Sequence, residues 1–353
     1  MVGAMNRRDF LLACASGAAA YSVRAGEPGF APLPVGQIGT AHPHASGKML
    51  ALRGQPARWA VVGLVDPHGA AAGRGEAYRA LPVMTEEELL EIPGLRAVTV
   101  ETAIADSCAT ALRVIRAGKH VHLDKPGSFS HAEFRAMRSE AERRGLTVQM
   151  GYMLRYNPAF ELMFQAVKEG WLGEILEVDA CMGKLGGPKD RDYLKALPGG
   201  GMFELGCHVI DCIVWLLGAP KSVEAFSTPT KDDGVKDNQL AVFKFSRATA
   251  TVRVNYSDPF GGPRRRFSVT GTEGTFEVRP MESGHVRLSL TRARGPFPKG
   301  EQNLTLPRRG GRYDGEFVDL ARVVRGEKPL AWGASHDIAV HDAVLRAAGV
   351  WDV

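Results

Sequence analysis

Between Gly199 and Gly218 the chain reads GGGMFELGCHVIDCIVWLLG, and three side chains in this stretch can do chemistry. Glu204, His208 and Asp211 stand at i, i+4 and i+7, which on a helix is one face. A carboxylate one turn before an imidazole orients the ring and tunes its proton affinity, and histidine exchanges its proton near neutrality. The chemistry this suggests is general acid/base catalysis. Ile210, Ile213, Val214, Leu216 and Leu217 supply the apolar face of the same predicted helix. The glycines ahead of it allow something to approach the backbone closely. A glycine-rich loop followed by a core helix with a surface histidine fits the same pattern.

Two other places offer chemistry. Lys125, in Asp124-Lys125-Pro126, follows a predicted strand at His120–Leu123 and is braced by the proline. The second is Gly39-Thr40-Ala41-His42-Pro43-His44, between a strand at Val35–Ile38 and a helix through Met49 and Leu50. The apolar strand Trp59–Val65 comes next and closes on Asp66. A glycine turn into a helix N-terminus, then a strand ending in an acid, is the opening βαβ of a dinucleotide-binding fold. The Asp66 carboxylate can bond a ribose diol and would repel a 2'-phosphate, which favours NAD over NADP. A GxGxxG turn would place glycines at 39, 41 and 44, where this chain has Gly39, Ala41 and His44, and Pro43 removes one backbone N–H.

The elements that position these groups alternate. Helices are predicted at Glu86–Leu90, Cys108–Ala117 and His131–Arg144, and strands at Ala97–Glu101, His120–Leu123 and Thr147–Gly151. Repeated βα units imply a parallel sheet that holds ligands at the C-terminal ends of its strands. From Gly151 the character changes. A helix at Pro158–Glu169, a strand at Glu174–Cys181 and a loop through Lys195 lead to the helix described first. Runs at 222–227, 239–245, 248–256, 266–270, 275–279 and 286–291 have strand patterning and predict an antiparallel sheet built from hairpins. Two helices follow, near Gly315–Arg325 and Ser335–Ala348. The expected fold is therefore α/β plus α+β, with a Rossmann-type parallel sheet over 28–150 and an open antiparallel sheet with helices over 151–353.

With 353 residues, 44% hydrophobic and 24% charged, the composition is that of a two-domain globular protein. The net charge of +5 is mild, and the arginine runs at 264–266 and 308–309 have no interleaved aromatics, so nucleic acid is not an expected partner. Residues 1–27 read as a twin-arginine signal, with Arg7-Arg8 before an Ala-rich stretch and a small-residue cleavage site at Val23-Arg24-Ala25. The expected location is periplasmic or otherwise exported by that route. No later run approaches the roughly 20 apolar residues of a membrane span. Cys108, Cys181, Cys207 and Cys212 show no zinc-like spacing, so they read as small buried hydrophobes and no metal is expected.

The ordered motifs resemble the Gfo/Idh/MocA oxidoreductase family over nearly everything after the signal. Ala117-Gly118-Lys119-His120-Val121 through Asp124-Lys125-Pro126 resembles its AGKHV…EKP, with Asp for Glu. Gly151 to Pro158 resembles its RFNP segment, Gly199 to Asp211 its GGGxxDxGxHxxD with Glu204 for the first Asp, and Gly271 to Thr275 its GTEGT turn. The resemblance implies that Lys125 bridges the nicotinamide ribose and the substrate hydroxyl, that His208 is the acid/base, and that Glu204 contacts substrate or orients His208. It assigns the dinucleotide to Gly39, Thr40, Ala41, His42, Asp66, Thr102 and Lys125, although Thr102-Ala103 stands where Thr-Pro is usual.

The function these expectations describe is an NAD-dependent oxidoreductase acting on a sugar or polyol carbinol, with its cofactor tightly held. Arg155, Tyr156, Asn157 and Tyr193, together with Tyr152 and Asp192, are candidates for the substrate wall. A dimer or tetramer is implied by resemblance alone. Two other functions compete: a redox-neutral glycoside hydrolase or lyase of the same fold, and a non-enzymatic ligand-binding protein, against which Lys125, Glu204 and His208 argue.

Overall fold

A computed structural model of the protein describes residues 30–67, 69 and 75–351. The twin-arginine segment lies outside the described residues. The chain divides into two compact units. One contains residues 30–153, 197–199 and 311–351, and the other contains 154–196 and 200–310.

The first unit is built on a parallel sheet of β1 (Leu33–Ile38), β2 (Trp59–Val65), β3 (Ala97–Val100), β4 (His120–Leu123) and β5 (Val148–Met150), in the order β2-β1-β3-β4-β5. All four residues of β3 are buried, the continuous apolar reading expected when helices cover both faces. Helices Ala45–Arg53, Glu86–Glu91, Ile104–Arg116 and His131–Arg143 make the crossovers. The Glu86 helix starts at a capping box, in which Thr85 accepts from the Glu88 N–H and the Glu88 carboxylate accepts from the Thr85 N–H.

Residues 311–351, read from the sequence as the end of the second domain, belong instead to this first unit. Phe317, Leu320, Ala321 and Val324 of the helix Asp314–Val324 fill one core with Val35, Leu52, Trp59 and Ala97. The Trp59 indole N–H donates to the Phe317 carbonyl at 3.0 Å. The final helix, Ala334–Ala347, packs on His131–Arg143 and buries His341 face to face on Phe134, with ring centroids 4.3 Å apart.

His341 Nε2–H donates to the Ser128 carbonyl at 3.0 Å, which turns Nδ1 toward His131 Nδ1, 3.3 Å away. Burial, with His131 alongside, lowers its pKa to about 4 despite the Ser128 bond. The unfolded chain binds this proton more tightly than the folded one, so stability should fall as pH drops from about 6.5 through 4. The full loss is roughly 3 kcal/mol, at about 1.4 kcal/mol per pKa unit. Urea titrations of the parent and His341→Gln across this range should show that extra acid sensitivity in the parent only. Parallel pH profiles would remove the assignment.

The second unit is an eight-stranded sheet in the order β13-β12-β11-β10-β6-β9-β8-β7. Its strands are β6 (Ile175–Gly183), β7 (Ser222–Ser227), β8 (Asn238–Lys244), β9 (Thr249–Asn255), β10 (Arg266–Gly271), β11 (Gly274–Val278), β12 (His285–Leu290) and β13 (Gly300–Thr305). Residues alternate between buried and more exposed along β8, β9 and β12, as in an antiparallel sheet with one covered face. Three features depart from the sequence reading. β6 and β9 pair in parallel, so the sheet is mixed. The stretch before Lys195 is a helix, Pro188–Lys195, with the Asp190 carboxylate accepting the Gly187 N–H. An edge strand at Gly300–Thr305 completes the sheet beyond β12. No helix among the described residues is long and apolar enough to cross a membrane.

Candidate active site

In the first unit the chain turns from β1 to β2 on one side and to β3 on the other, so a crevice opens beyond the C-terminal ends of β1 and β3. A cavity of about 720 Å³ lies there, lined by Gly39, Thr40, Ala41, Asp66, Thr102 and Arg113 among others. Gly39 has φ +87°, and a Cβ on it would stand 2.8 Å from the Thr102 backbone. Only glycine satisfies both conditions. Thr40 Oγ1 donates to Asp66 Oδ1 at 2.9 Å and fixes that carboxylate at the cavity wall. Opposite in charge, Arg113 is held by a fork onto Glu86 at 2.5 and 2.9 Å. The cavity's size, the Gly39 turn and the Asp66 carboxylate suit the adenosine end of a dinucleotide.

The phosphate end of the fingerprint is altered. The His42 backbone N–H donates to the Glu101 carbonyl at 3.0 Å, and Pro43 has none to offer. His42, expected among the cofactor ligands, turns its ring inward and is 3% exposed. Its Nδ1 lies 3.1 Å from Asp124 Oδ2.

Asp124 anchors a buried polar cluster that the sequence did not announce. Lys48, from the helix Ala45–Arg53, is fully buried and places Nζ 3.2 Å from Asp124 and 3.1 Å from Glu316. It also donates to His122 Nε2 at 2.7 Å, and His122 Nδ1–H donates to Gln149 Oε1 at 2.9 Å. Burial alone would lower the Lys48 ammonium, but the charges of Asp124, Glu316 and Glu101 outweigh it and hold the group protonated. Burial raises Glu101 well above the carboxylate range, and the Asp124 charge adds to the rise. Asp124 goes the other way: its burial is overcome by His42, Lys48 and His44. Gly151 makes room for the lysine, since a Cβ there would sit 2.3 Å from Nζ. Lys125 is fully buried beside this cluster in sequence, its backbone N–H bonded to Asp124 Oδ1 at 2.7 Å, and its bond to Pro126 is cis.

In the second unit the stretch from Met202 is not one regular helix. A π-turn at Met202–Gly206 precedes the α-helix Cys207–Leu217. Such turns are rare and recur at functional sites. Glu204 sits in the π-turn and His208 in the first α-turn, so the expected uniform spacing is broken between them. Both are buried, at 7% and 2% exposure. The glycines serve internal packing. A Cβ on Gly201 would meet Tyr256 at 2.9 Å, and one on Gly200, at φ +57°, would meet the Lys236 carbonyl at 2.2 Å. What approaches the backbone closely here is the protein's own chain.

Asp211 does not face His208's chemistry. It takes a bidentate bond from Arg155, at 3.0 and 2.7 Å, with both groups at 1% exposure or less. Of the expected substrate-wall residues, Arg155 thus carries a buried ion pair. Asn157 caps the helix Pro158–Lys168, accepting the Ala159 N–H at 2.9 Å. Tyr156 and Tyr193 are half-buried. The thiols are packing groups: Cys207 and Cys212 bond back to the carbonyls of Glu204 and His208, and the four described cysteines form no disulfide with one another.

Comparison with known proteins adds the lineage. Among curated proteins, the chain is 26% identical over 208 residues to scyllo-inositol 2-dehydrogenase (NAD(+)) of Bacillus subtilis, covering 57% of this chain and 60% of that one. It is 29% identical over 168 residues to D-xylose 1-dehydrogenase (NADP(+)) 2 of Haloferax volcanii, covering 46% and 50%. It is 31% identical over 200 residues to trans-1,2-dihydrobenzene-1,2-diol dehydrogenase of Sus scrofa, covering 54% and 57%. The chain therefore spans about half to three-fifths of the length of these relatives. Among solved structures, GenD2 from gentamicin A biosynthesis, in complex with NAD, superposes with a TM-score of 0.76 at 23% identity, covering 93% of this chain and 97% of that one. UDP-N-acetylglucosamine 3-dehydrogenase GnnA from Acidithiobacillus ferrooxidans does so with the same score at 18% identity, covering 92% and 100%. These establish the fold. Residues 34–152 match the model of an oxidoreductase family with an NAD-binding Rossmann fold, and residues 160–277 match the GFO/IDH/MocA C-terminal domain. Carrying both halves in the same order, the chain belongs to the Gfo/Idh/MocA family of oxidoreductases.

Proposed function

We propose that the protein is an NAD-dependent dehydrogenase acting on a carbinol of a sugar, polyol or related carbohydrate, and that it keeps its cofactor through the catalytic cycle. The observation that carries this reading is the cavity at the β1–β3 crevice, with Asp66 fixed at its wall by Thr40. The names of the relatives, dehydrogenases of an inositol, a pentose and a dihydrodiol, support the substrate class.

Bound NAD supplies the acceptor for the hydride that leaves the carbinol carbon. His208 takes the hydroxyl proton, so the C–H and O–H bonds break and a carbonyl forms. Lys125 stabilises the negative charge that develops on the oxygen. Glu204 steadies His208. Residues 1–27 are proposed as a twin-arginine signal that exports the folded protein, and the open sheet as the pairing surface of a dimer or tetramer. Outside the cytoplasm a released NADH has no soluble pool to exchange with. A retained cofactor, returned to its starting state by a second carbonyl, resolves this.

Protein purified without added nucleotide should carry nicotinamide dinucleotide, detected by mass after denaturation. Cofactor-free protein that works only with added NAD and releases NADH stoichiometrically would overturn retention. Free sugar released from a glycoside without net NADH would replace dehydrogenation with redox-neutral cleavage. Calorimetry on nucleotide-stripped protein should show tighter binding of NAD than NADP, and Asp66→Ala should narrow that gap. Tighter NADP binding by the parent would reverse the assignment of Asp66.

A further inference from the structure

We propose that His42, His44 and Asp124 form a binding site for one divalent transition-metal ion of the zinc class. The proposal stands apart from the dehydrogenase reading and does not depend on it. Nδ1 of His42 and Nδ1 of His44 lie 3.1 and 3.3 Å from the same oxygen, Asp124 Oδ2, and the three donor atoms fall within 4.8 Å of one another. Metal bonds of about 2.0–2.2 Å place neighbouring ligand atoms of a tetrahedral or octahedral site roughly 2.9–3.5 Å apart. The two measured edges are within that range.

The hydrogen bonding around His42 points the same way. The His44 backbone N–H donates to His42 Nδ1 at 3.3 Å, so in this tautomer Nδ1 carries an electron pair rather than a proton. Asp124 Oδ2, buried and 3.1 Å from that nitrogen, is the point on which His42, His44 and the Lys48 ammonium converge. His42 Nε2 is buried with no hydrogen-bond partner among the described residues, so nothing on that side fixes the ring.

Two imidazoles and a carboxylate are the donor set of borderline divalent ions, and three protein ligands leave at least one position for water or a substrate oxygen. Pro43 between the histidines stiffens the turn that presents them. Lys48, itself paired with Glu316, contacts the Asp124 carboxylate as an outer partner. The His44 side chain is 16% exposed, which gives an ion a way in. The residues are scattered between a turn and a strand end, so no sequence spacing advertises them.

The test is metal binding by the full chain. Protein stripped with chelator and dialysed against Zn²⁺ alone should take up one equivalent, measured by elemental analysis. Co²⁺ should give the visible spectrum of a nitrogen-ligated site and be displaced by Zn²⁺. His44→Ala should weaken Zn²⁺ binding by about 100-fold or more, since even outer-sphere partners cost 10- to 100-fold. His44→Cys, which keeps a ligand, should retain binding. Zn²⁺ uptake by the parent no greater than by a folded His44→Ala, or Co²⁺ spectra indistinguishable from the aquo ion, would overturn the proposal and leave the cluster a bare ion network. If His44→Ala does not fold, the Co²⁺ spectrum of the parent decides alone.

Discussion

His208→Ala is expected to lower turnover by roughly 10²- to 10⁴-fold while leaving dinucleotide binding nearly unchanged. The reasoning is positional. His208 opens the α-helix just after a π-turn, 2% exposed, on a segment whose glycines clamp it to neighbouring backbone. The glycine contacts that hold this backbone do not involve the His208 ring, so alanine leaves them in place. The Cys212 thiol bonds the His208 backbone carbonyl, which the substitution leaves in place. Steady-state kinetics and calorimetry on one preparation separate the outcomes. A fall in kcat with intact cofactor affinity, partly restored by added imidazole, supports a proton-transfer role. Near-normal turnover would return His208 to the status of a buried helix residue, and Glu204 with it.

The second large effect is on stability. Asp211→Ala removes the bidentate carboxylate partner of a guanidinium that is 1% exposed. Removing one member of a buried pair costs about 3–5 kcal/mol, which for a chain of this size lowers the melting temperature by roughly 5 °C. Replacing both members with apolar residues, Arg155→Met with Asp211→Leu, should recover most of the loss, because neither charge then remains buried. The double variant also tests the expected substrate contact of Arg155. If it melts like the parent and keeps kcat/KM, Arg155 is structural. If it melts like the parent but loses kcat/KM, Arg155 touches substrate after all. A single variant as stable as the parent would mean that water reaches the guanidinium.

Much of the fold was legible because some signals are local. Trp59–Val65 and His120–Leu123 were read residue for residue, each an apolar or β-favouring run closed by an acid. What escaped lacked such a signal. Pro188–Lys195 is mostly polar, and its start is set by a carboxylate reaching back to a glycine N–H. Gly300–Thr305 pairs through its backbone at a sheet edge, with few apolar side chains to announce it. The π-turn has no sequence period of its own.

The site divides in the same way. Gly39 and Asp66 were singled out from the strand-and-turn pattern and Thr102 from the family resemblance, and all three line one cavity. The cluster of Lys48, His122, Asp124 and Glu316 was not found, because it is assembled from segments more than 200 residues apart. A buried lysine on a helix is chemically ordinary until its partners are known. Gly200 and Gly201 gave a true signal of close approach, but sequence could not say that the neighbours were Lys236 and Tyr256.

The return of residues 311–351 to the first unit has a bearing on biosynthesis. During translation the parallel sheet is complete once Met150 has emerged, yet the helix that covers Trp59 and Leu52 is still more than 150 residues from being made. The ribosome must deliver the whole second unit before that apolar face is closed. The nascent chain therefore carries an unfinished core for most of its synthesis, exposed to chaperones and proteases. The docking of Phe317 and Leu320 is then a late event on which completion of the first unit's core depends.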